Sequence, residues 1–214
     1  IGFKFMFLKQ NTEKIFLNDK DYIKFFSHKP EGDHTIALSI KGKVIINQND
    51  DYTDDDIIKK INKEFKFVDI LFTQFSLAGY YGNSNNHNLI KKNGHDFHLN
   101  RIVDYQKKFN AKIVVPFASF VYFCKVTNKY LNKFAVKPGE VLKSLGNKVC
   151  QLVFLNDEVY FDDRFMTRNS INLKKLENLF NLNNLRFYQS KKIDEKEIIN
   201  IINSKLLDMS LIKK

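Results

Sequence analysis

The sequence contains only two cysteines, Cys124 and Cys150, among 214 residues. They lie in separate strand-like segments and show no metal-ligand spacing, so we interpret them as small buried hydrophobic residues rather than as a disulfide or a nucleophile. Two scattered cysteines are typical of a reducing compartment, and we therefore expect a cytoplasmic protein.

Long apolar runs are also missing. The apolar stretches are short, such as residues 113–117 and 120–123, whereas a membrane-spanning helix needs about 20 consecutive apolar residues. The chain begins at Ile1 and shows no charged segment followed by an apolar run and a cleavage site, which argues against a signal peptide. We expect a soluble protein, and we interpret the chain as a piece of a longer one that begins in mid-fold.

Acidic residues are fewer than basic ones, and the formal net charge is +11. Basic chains often bind nucleic acid, anionic lipid or phosphorylated ligands. Lysine is spread along the whole chain together with abundant Asn and Ile, which indicates a compositional bias more than a binding surface. A phosphate-bearing ligand such as a nucleotide sugar also suits the charge. A nucleic-acid-binding domain remains an alternative, and it predicts strongly salt-dependent affinity for DNA or RNA.

What is present is enough apolar material for one sizeable domain, with 43% apolar and 14% aromatic residues. The first part of the chain alternates apolar residues and turn signals, which is typical of closely spaced strands. A hairpin through Lys41-Gly42 joins the last two of these strands. We predict an antiparallel or mixed sheet formed by strands at residues 3–8, 13–17, 22–26, 34–40 and 43–46.

A helix is predicted to follow, with Thr53 as its N-cap and Asp56 completing a capping box. It would extend to about Glu64, with Ile57, Ile58 and Ile61 on one face. The polar, Asn-rich stretch 82–94 is predicted to be a surface loop.

Strands and helices alternate through the rest of the chain, which is typical of an α/β fold. The predicted strands are 68–72, 111–115 and 149–155, and the predicted helices are 95–109 and 138–145. Helical spacing of apolar residues recurs at 172–180 and 194–207, which predicts helices that cap the sheet or extend the domain.

Three blocks of sequence, in this order, resemble one family. They are HTIALSIKGKVIINQND (34–50), VDILFTQFSLAGY (68–80) and AKIVVPFASFVYFCKVTNKY (111–130), with a weaker fourth match in VFLNDEVY (153–160). Together they resemble the C-terminal portion of metallo-β-lactamase-fold proteins related to CMP-N-acetylneuraminate hydroxylase and to bacterial relatives of surface-polysaccharide gene clusters. The resemblance implies an αββα sandwich whose C-terminal half is residues 1–165, with a helical extension at 166–214.

The resemblance also implies a divalent metal, zinc or iron, at one edge of the sandwich. In the family most ligands come from a His-x-His-x-Asp-His motif, which this sequence does not contain. Asp50 is the one position that matches a family ligand, and a turn-forming or helix-capping Asp is the alternative. Asn47 and Asn49 would orient Asp50, and His34 opens the same block as a further candidate.

His95 and His98 are three residues apart in a predicted helix and can share a face. The family places no metal ligands there, so we expect both to face solvent or to pack against a loop.

Lys125 stands where relatives place a His, in the same turn as Asn128. An ammonium group does not ligate a cation at neutral pH, so Lys125 either binds a phosphate or carboxylate or is simply solvated. Ser76 follows a buried strand without the Gly-x-Ser-x-Gly pattern of a nucleophile elbow. We expect Ser76 to line a cleft, with Tyr80 and Tyr81 stacking on a ligand or serving as packing residues.

The resemblance thus implies part of a metal-dependent hydrolase that acts on an ester, amide or phosphoester bond of a sugar or nucleotide sugar. The alternative within the same family is a degenerate, non-catalytic domain that binds a glycan precursor or a protein partner. The cysteine–histidine pairs of a Rieske iron–sulfur centre are absent from the sequence. The oligomeric state is left open.

Overall fold

A computed structural model describes residues 11, 13–27, 32–80, 82–157, 169–181, 183–189, 196 and 199–200. Six strands and five α-helices are assigned within these ranges. The strands are β1 (Lys14–Phe16), β2 (Tyr22–Phe26), β3 (Thr35–Ile40), β4 (Lys43–Asn47), β5 (Val68–Gln74) and β6 (Ala111–Phe117). The helices are α1 (Asp55–Glu64), α2 (His87–Ile90), α3 (Phe97–Lys108), α4 (Pro138–Leu145) and α5 (Asn169–Leu179), with a π-helical turn at Lys91–Asp96 and a 3₁₀ turn at Lys129–Lys133.

The strands form one mixed sheet in the order β1-β2-β3-β4-β5-β6. The first four are antiparallel, whereas β4, β5 and β6 run parallel to one another. Short turns join β1 to β2 and β3 to β4, and the helical crossovers through α1 and α3 make the later pairs parallel. The predicted α/β class is therefore confirmed.

The turn between β3 and β4 explains how this hairpin forms. Lys41 and Gly42 have φ angles of 49° and 74°, the left-handed conformation that a tight two-residue hairpin turn requires at both central positions. The hairpin predicted through these two residues is confirmed.

The main core lies between the sheet and its helices. Helix α1 buries the three isoleucines predicted to share a face, Ile57, Ile58 and Ile61, against the sheet. On α3, Ile102 and Tyr105 are buried in the same core. Strand β5, which has a partner on each side, is buried along almost its whole length, as expected for a central parallel strand.

The N-cap of α1 is Asp54, not Thr53, so the predicted capping box is wrong by one residue. Asp54 Oδ1 accepts hydrogen bonds from the backbone N–H groups of Asp56 and Ile57, both at 3.0 Å. Thr53 is buried, and its hydroxyl group contacts Thr35 and Gln48 instead. Local spacing favours Thr53 as the cap, but its hydroxyl group is used in tertiary hydrogen bonds instead.

Two other predicted segments also differ. The stretch predicted as a loop at 82–94 contains α2 and most of the π-helical turn. Residues 149–155 form no strand, because only Cys150 pairs with the sheet, through an isolated bridge to Val114. The predicted strand 3–8, the turn residues 29–31 and almost all of the predicted helix 194–207 lie outside the described residues. Across the ranges given above, no helix is long and apolar enough to cross a membrane.

The cap assignment predicts a specific pattern of stability. Asp54→Ala should lower the free energy of unfolding by about 1 kcal/mol, because two backbone N–H groups lose their acceptor. Asp54→Ser should retain most of the stability. Asp56→Ala is the matched control, since Asp56 only forms an exposed ion pair with Lys59, and it should cost roughly 0.5 kcal/mol or less. Urea denaturation measures all three, and equal losses for Asp54→Ala and Asp56→Ala would contradict the assignment.

Candidate functional site

The carboxyl ends of β4, β5 and β6 lie at one edge of the sheet, because these strands are parallel. Ligands of open α/β sheets usually bind at this edge. Three segments leave the strands there: residues 48–53 after β4, residues 75–80 after β5, and residues 118–122 after β6.

The segment after β4 carries the predicted metal ligand, Asp50. Asn49 has a φ of 45°, and its backbone N–H donates to Asn47 Oδ1 at 2.9 Å. The exposed Asp50 accepts a hydrogen bond from Nε2 of Gln74, which is buried at the end of β5. Asp50 is therefore held over the end of β5 by an amide donor.

The neighbouring Asp51 belongs to a buried polar cluster that the sequence did not suggest. Thr35 Oγ1 lies 2.5 Å from Asp51 Oδ2 and 2.7 Å from Thr53 Oγ1, to which Gln48 Nε2 also donates at 2.7 Å. Burial raises the pKa of Asp51, and the hydrogen bonds from Thr35 and Thr53 only partly oppose that effect. This cluster fixes the loop that presents Asp50.

A second set of contacts clamps the same loop onto α3. The Arg101 guanidinium lies 4.1 Å from the centre of the Tyr52 ring, a cation–π contact. Arg101 also donates to His98 Nδ1 at 3.0 Å, and the Tyr105 hydroxyl donates to Thr53 O at 2.9 Å. Burial, with a smaller contribution from the Arg101 charge, lowers the pKa of His98 to about 4. His98 is thus a neutral packing residue against the loop.

His95 is separated from this clamp and connects two helical segments. Its Nδ1 lies 2.9 Å from Asp96 Oδ1, and its Nε2 lies 2.9 Å from Glu140 Oε1 at the start of α4. Partial burial lowers the pKa of His95, but the hydrogen bonds to these two carboxylates outweigh burial and raise it above its ordinary value. Both ring nitrogens are occupied, so His95 serves as a structural bridge.

The residues around Asp50 do not fit a complete zinc or iron site. A structural zinc site takes four protein ligands and a catalytic one three. In the described part of the chain, no group of three or more His, Cys, Asp and Glu side chains could hold a metal ion. The side-chain oxygen of Asn47 already accepts from Asn49, and Asp50 accepts from Gln74. His34 Nδ1 lies 2.8 Å from the carbonyl oxygen of Gly32.

A cavity of about 750 Å³ lies at the carboxyl ends of β5 and β6, within the volume range of small-molecule pockets. Phe75 and Ser76 line it directly after β5, and Ser119 and Phe120 line it after β6. The rest of the lining comes from the segment that leads into α4, up to Pro138, and from the end of α5 and the residues that follow it.

The walls of the cavity combine aromatic rings and polar groups. The Phe120 ring meets Phe75 edge-on at 5.1 Å and stacks on Phe180 at 6.2 Å between centres. The buried hydroxyls of Ser76 and Ser119 accept from the backbone N–H groups of Val136 at 2.9 Å and Phe75 at 3.3 Å. These bonds connect the ends of β5 and β6 to each other and to the segment that precedes α4.

The predicted candidates do not all come together at this edge. Ser76 lines the cavity, as the cleft prediction implies, whereas Tyr80 packs into a separate cluster with Leu77 and Phe123. Tyr81 lies outside the described residues. Lys125 is exposed, and its backbone N–H donates to Asn128 Oδ1 at 3.1 Å to close a turn away from the cavity.

Sequence reasoning missed Ser119, Gln74, Lys133 and Lys137. Ser119 lies within the Pro-Phe-Ala-Ser-Phe stretch, and its position directly after a strand could have marked it as a candidate site residue. The two lysines reach the cavity only through the packing of the chain after β6, and no local pattern marks them.

Comparisons with known proteins give little further guidance. No family model matches the sequence, and no curated protein matches it. Among solved structures, the chain is similar to the metallo-β-lactamase fold protein YhfI from Bacillus subtilis, with 13% sequence identity and a TM-score of 0.41. The similarity covers 69% of this chain and 52% of that chain, so the chain spans about half of that protein's length. The structure shows a mixed α/β architecture. The metallo-β-lactamase-like fold and the narrower resemblance to CMP-N-acetylneuraminate hydroxylase stay predictions.

The clamp on the loop predicts a pH dependence of stability. Because the pKa of His98 is lowered in the folded state, its contribution to the free energy of unfolding is fully present at pH values above 6.5, the ordinary pKa of histidine. This contribution is lost as the pH falls toward 4. This loss should be about 2–3 kcal/mol between roughly pH 7.5 and pH 4.5. In His98→Gln, whose amide oxygen can still accept from Arg101, the loss over the same interval should be correspondingly smaller.

The matched control is His95→Gln. The raised pKa of His95 stabilises the fold at low pH, so its removal should increase the acid-induced loss rather than reduce it. Urea denaturation at the two pH values distinguishes the variants. An unchanged acid-induced loss in His98→Gln would contradict a buried neutral His98.

Proposed function

We propose that this chain binds a sugar or nucleotide sugar in the cavity at the carboxyl ends of β5 and β6. It would act as the substrate-binding part of a metallo-β-lactamase-like protein, with residues 1–165 as the domain and 166–214 as a helical extension. The observation that carries the proposal is the cavity itself, with its aromatic rings, amide side chains and rim lysines.

The position of the cavity supports a ligand site. In a parallel sheet, the side chains and loop backbones that follow neighbouring strands converge at the carboxyl ends of those strands, where no further strand covers the loops. Here Phe75 and Ser76 directly follow β5, and Ser119 and Phe120 follow the neighbouring strand β6. Rigid neighbouring strands thus set the floor of the site, which suits binding of a small molecule with little rearrangement.

The lining suits the two surfaces of a sugar. Aromatic rings such as Phe120 and Tyr122 offer apolar contact for the C–H faces of a sugar or for a nucleobase. The exposed amides of Asn178, Asn181 and Asn183 offer both donors and acceptors for hydroxyl groups.

The charges at the rim suit a phosphate. Lys133 and Lys137 line the cavity and are exposed, so their ammonium groups can reach an anionic group without first being desolvated. Glu177 is the carboxylate among the described lining residues. The net charge of +11 adds long-range attraction for an anionic ligand.

Metal-dependent hydrolysis of an ester, amide or phosphoester bond remains the finer proposal for a protein that supplies the missing ligands. Asp50 would contribute one oxygen ligand, with Asn47, Asn49 and His34 nearby on the same edge. Because the donor set around Asp50 does not complete a zinc or iron site, we assign no catalytic step to this chain. Ligand binding without catalysis, as in a degenerate family member, is what its own residues support.

The rim lysines give the first test. Isothermal titration with a uridine diphosphate hexose should show binding by the unmodified chain. The Lys133→Ala/Lys137→Ala double variant should bind at least about tenfold more weakly, because two charge-assisted contacts to the diphosphate are lost.

Lys125→Ala/Lys129→Ala is the matched control, since it also removes two positive charges, both from exposed positions outside the cavity. It should leave the affinity within about twofold of the unmodified chain. An equal loss of affinity in both variants would point to general charge attraction and would contradict a cavity site.

The metal assignment has its own test. Titration of this chain with zinc should show no stoichiometric, high-affinity site, and Asp50→Asn should not change the result, because the neighbouring donors are engaged. Binding of one zinc ion per chain that is lost in Asp50→Asn would contradict this and would assign Asp50 as a metal ligand of this chain.

A further inference from the structure

Two buried serine residues line the cavity at the ends of adjacent strands. Ser76 follows β5 and Ser119 follows β6, and they are only 2% and 4% exposed. The Ser119 hydroxyl reaches back across the sheet to the backbone N–H of Phe75, the residue before Ser76. The two hydroxyl groups therefore belong to one small region at the ends of adjacent parallel strands.

Each hydroxyl uses an oxygen lone pair and leaves its own hydrogen available. Ser76 Oγ accepts from Val136 N at 2.9 Å, and Ser119 Oγ accepts from Phe75 N at 3.3 Å. A serine hydroxyl can donate one hydrogen bond in addition to those it accepts. Within the described ranges neither hydroxyl has an acceptor for that hydrogen. A buried donor without an acceptor is unfavourable unless a ligand or solvent in the cavity supplies one.

The backbone places Ser119 in this position. Ala118, between β6 and Ser119, has a φ of 59°, a left-handed conformation that costs an alanine energy. The turn at Ala118 ends β6 and allows Ser119 to face β5. Residues held in such conformations often lie at binding sites, where the surrounding fold maintains them.

We propose that Ser76 and Ser119 together donate two hydrogen bonds to one anionic group of the ligand, a carboxylate or a phosphate. This assignment rests on the proposed function and specifies which chemical group reaches the cavity floor. An anionic group suits the pair because its oxygens accept hydrogen bonds without requiring an acceptor in return. The bonds would be charge-assisted and therefore stronger than those to a neutral hydroxyl.

The described lining of the cavity carries two lysines against one carboxylate, and this balance favours an anionic ligand. Glu177 lines the cavity as an exposed side chain on α5, and Lys133 and Lys137 are exposed in the segment that leads into α4.

Neither serine is assigned as a nucleophile. In the described residues, no histidine or carboxylate hydrogen-bonds to either hydroxyl, so neither serine has a base that could activate it.

The test compares three probes: glucose 1-phosphate, glucuronate and glucose. The unmodified chain should bind at least one of the two anionic probes about tenfold or more tightly than glucose. Whether glucose 1-phosphate or glucuronate binds more tightly identifies phosphate or carboxylate as the group. Ser76→Ala and Ser119→Ala should each weaken the preferred anionic probe by about tenfold and change the affinity for glucose by less than about twofold.

Ser76→Thr and Ser119→Thr retain the hydroxyl and should keep the preference for the anionic probe, and circular dichroism with thermal unfolding checks that each variant is folded. If the alanine variants weaken all three probes equally, or none, the serine assignment is wrong while the cavity remains a ligand site. A preference of the unmodified chain for glucose would also overturn the assignment. Failure of the unmodified chain to bind any sugar, sugar phosphate or nucleotide sugar would overturn the proposed function and this assignment with it.

Discussion

The parallel pairing of β4, β5 and β6 is the constraint on which the rest of the molecule depends. Helical crossovers through α1 and α3 return the chain to the same end of the sheet before each new strand begins. The polar segments that follow the three strands therefore all lie at one edge of the sheet. A different pairing of the strands would place these segments apart. The buried side chains of β5 and the isoleucines of α1 hold this arrangement by removing apolar surface from water.

Two polar regions with different characters result from that edge. The segment after β4 is stabilised from within, because Asp51 is hydrogen-bonded to Thr35 and Tyr52 is held by Arg101. Its polar groups are largely occupied by one another. The region after β5 and β6 opens instead into a cavity where, among the described residues, the hydroxyls of Ser76 and Ser119 have no acceptor for their hydrogens. This contrast favours ligand binding at the second region over metal binding at the first.

The sequence predicted what depends on local patterns. The hairpin at Lys41-Gly42, the buried face of α1 and the bounds of α4 follow from turn chemistry and from apolar spacing. Tertiary competition explains the failures. Thr53 had the right residue type for a cap, but Thr35 and Gln48 bind its hydroxyl. The cavity depends on how α4 and α5 pack against the sheet, so only Ser76 of its lining could be anticipated.

In the proposed complex the ligand contacts the cavity rather than the Asp50 loop. The most direct measurement is a map of amide chemical shifts by two-dimensional NMR during titration with a uridine diphosphate hexose. The largest shifts should cluster at residues 75–76, 119–122 and 132–137, with little change at 48–53. Shifts concentrated at 48–53 or around Lys125, with the cavity residues unaffected, would contradict binding in the cavity.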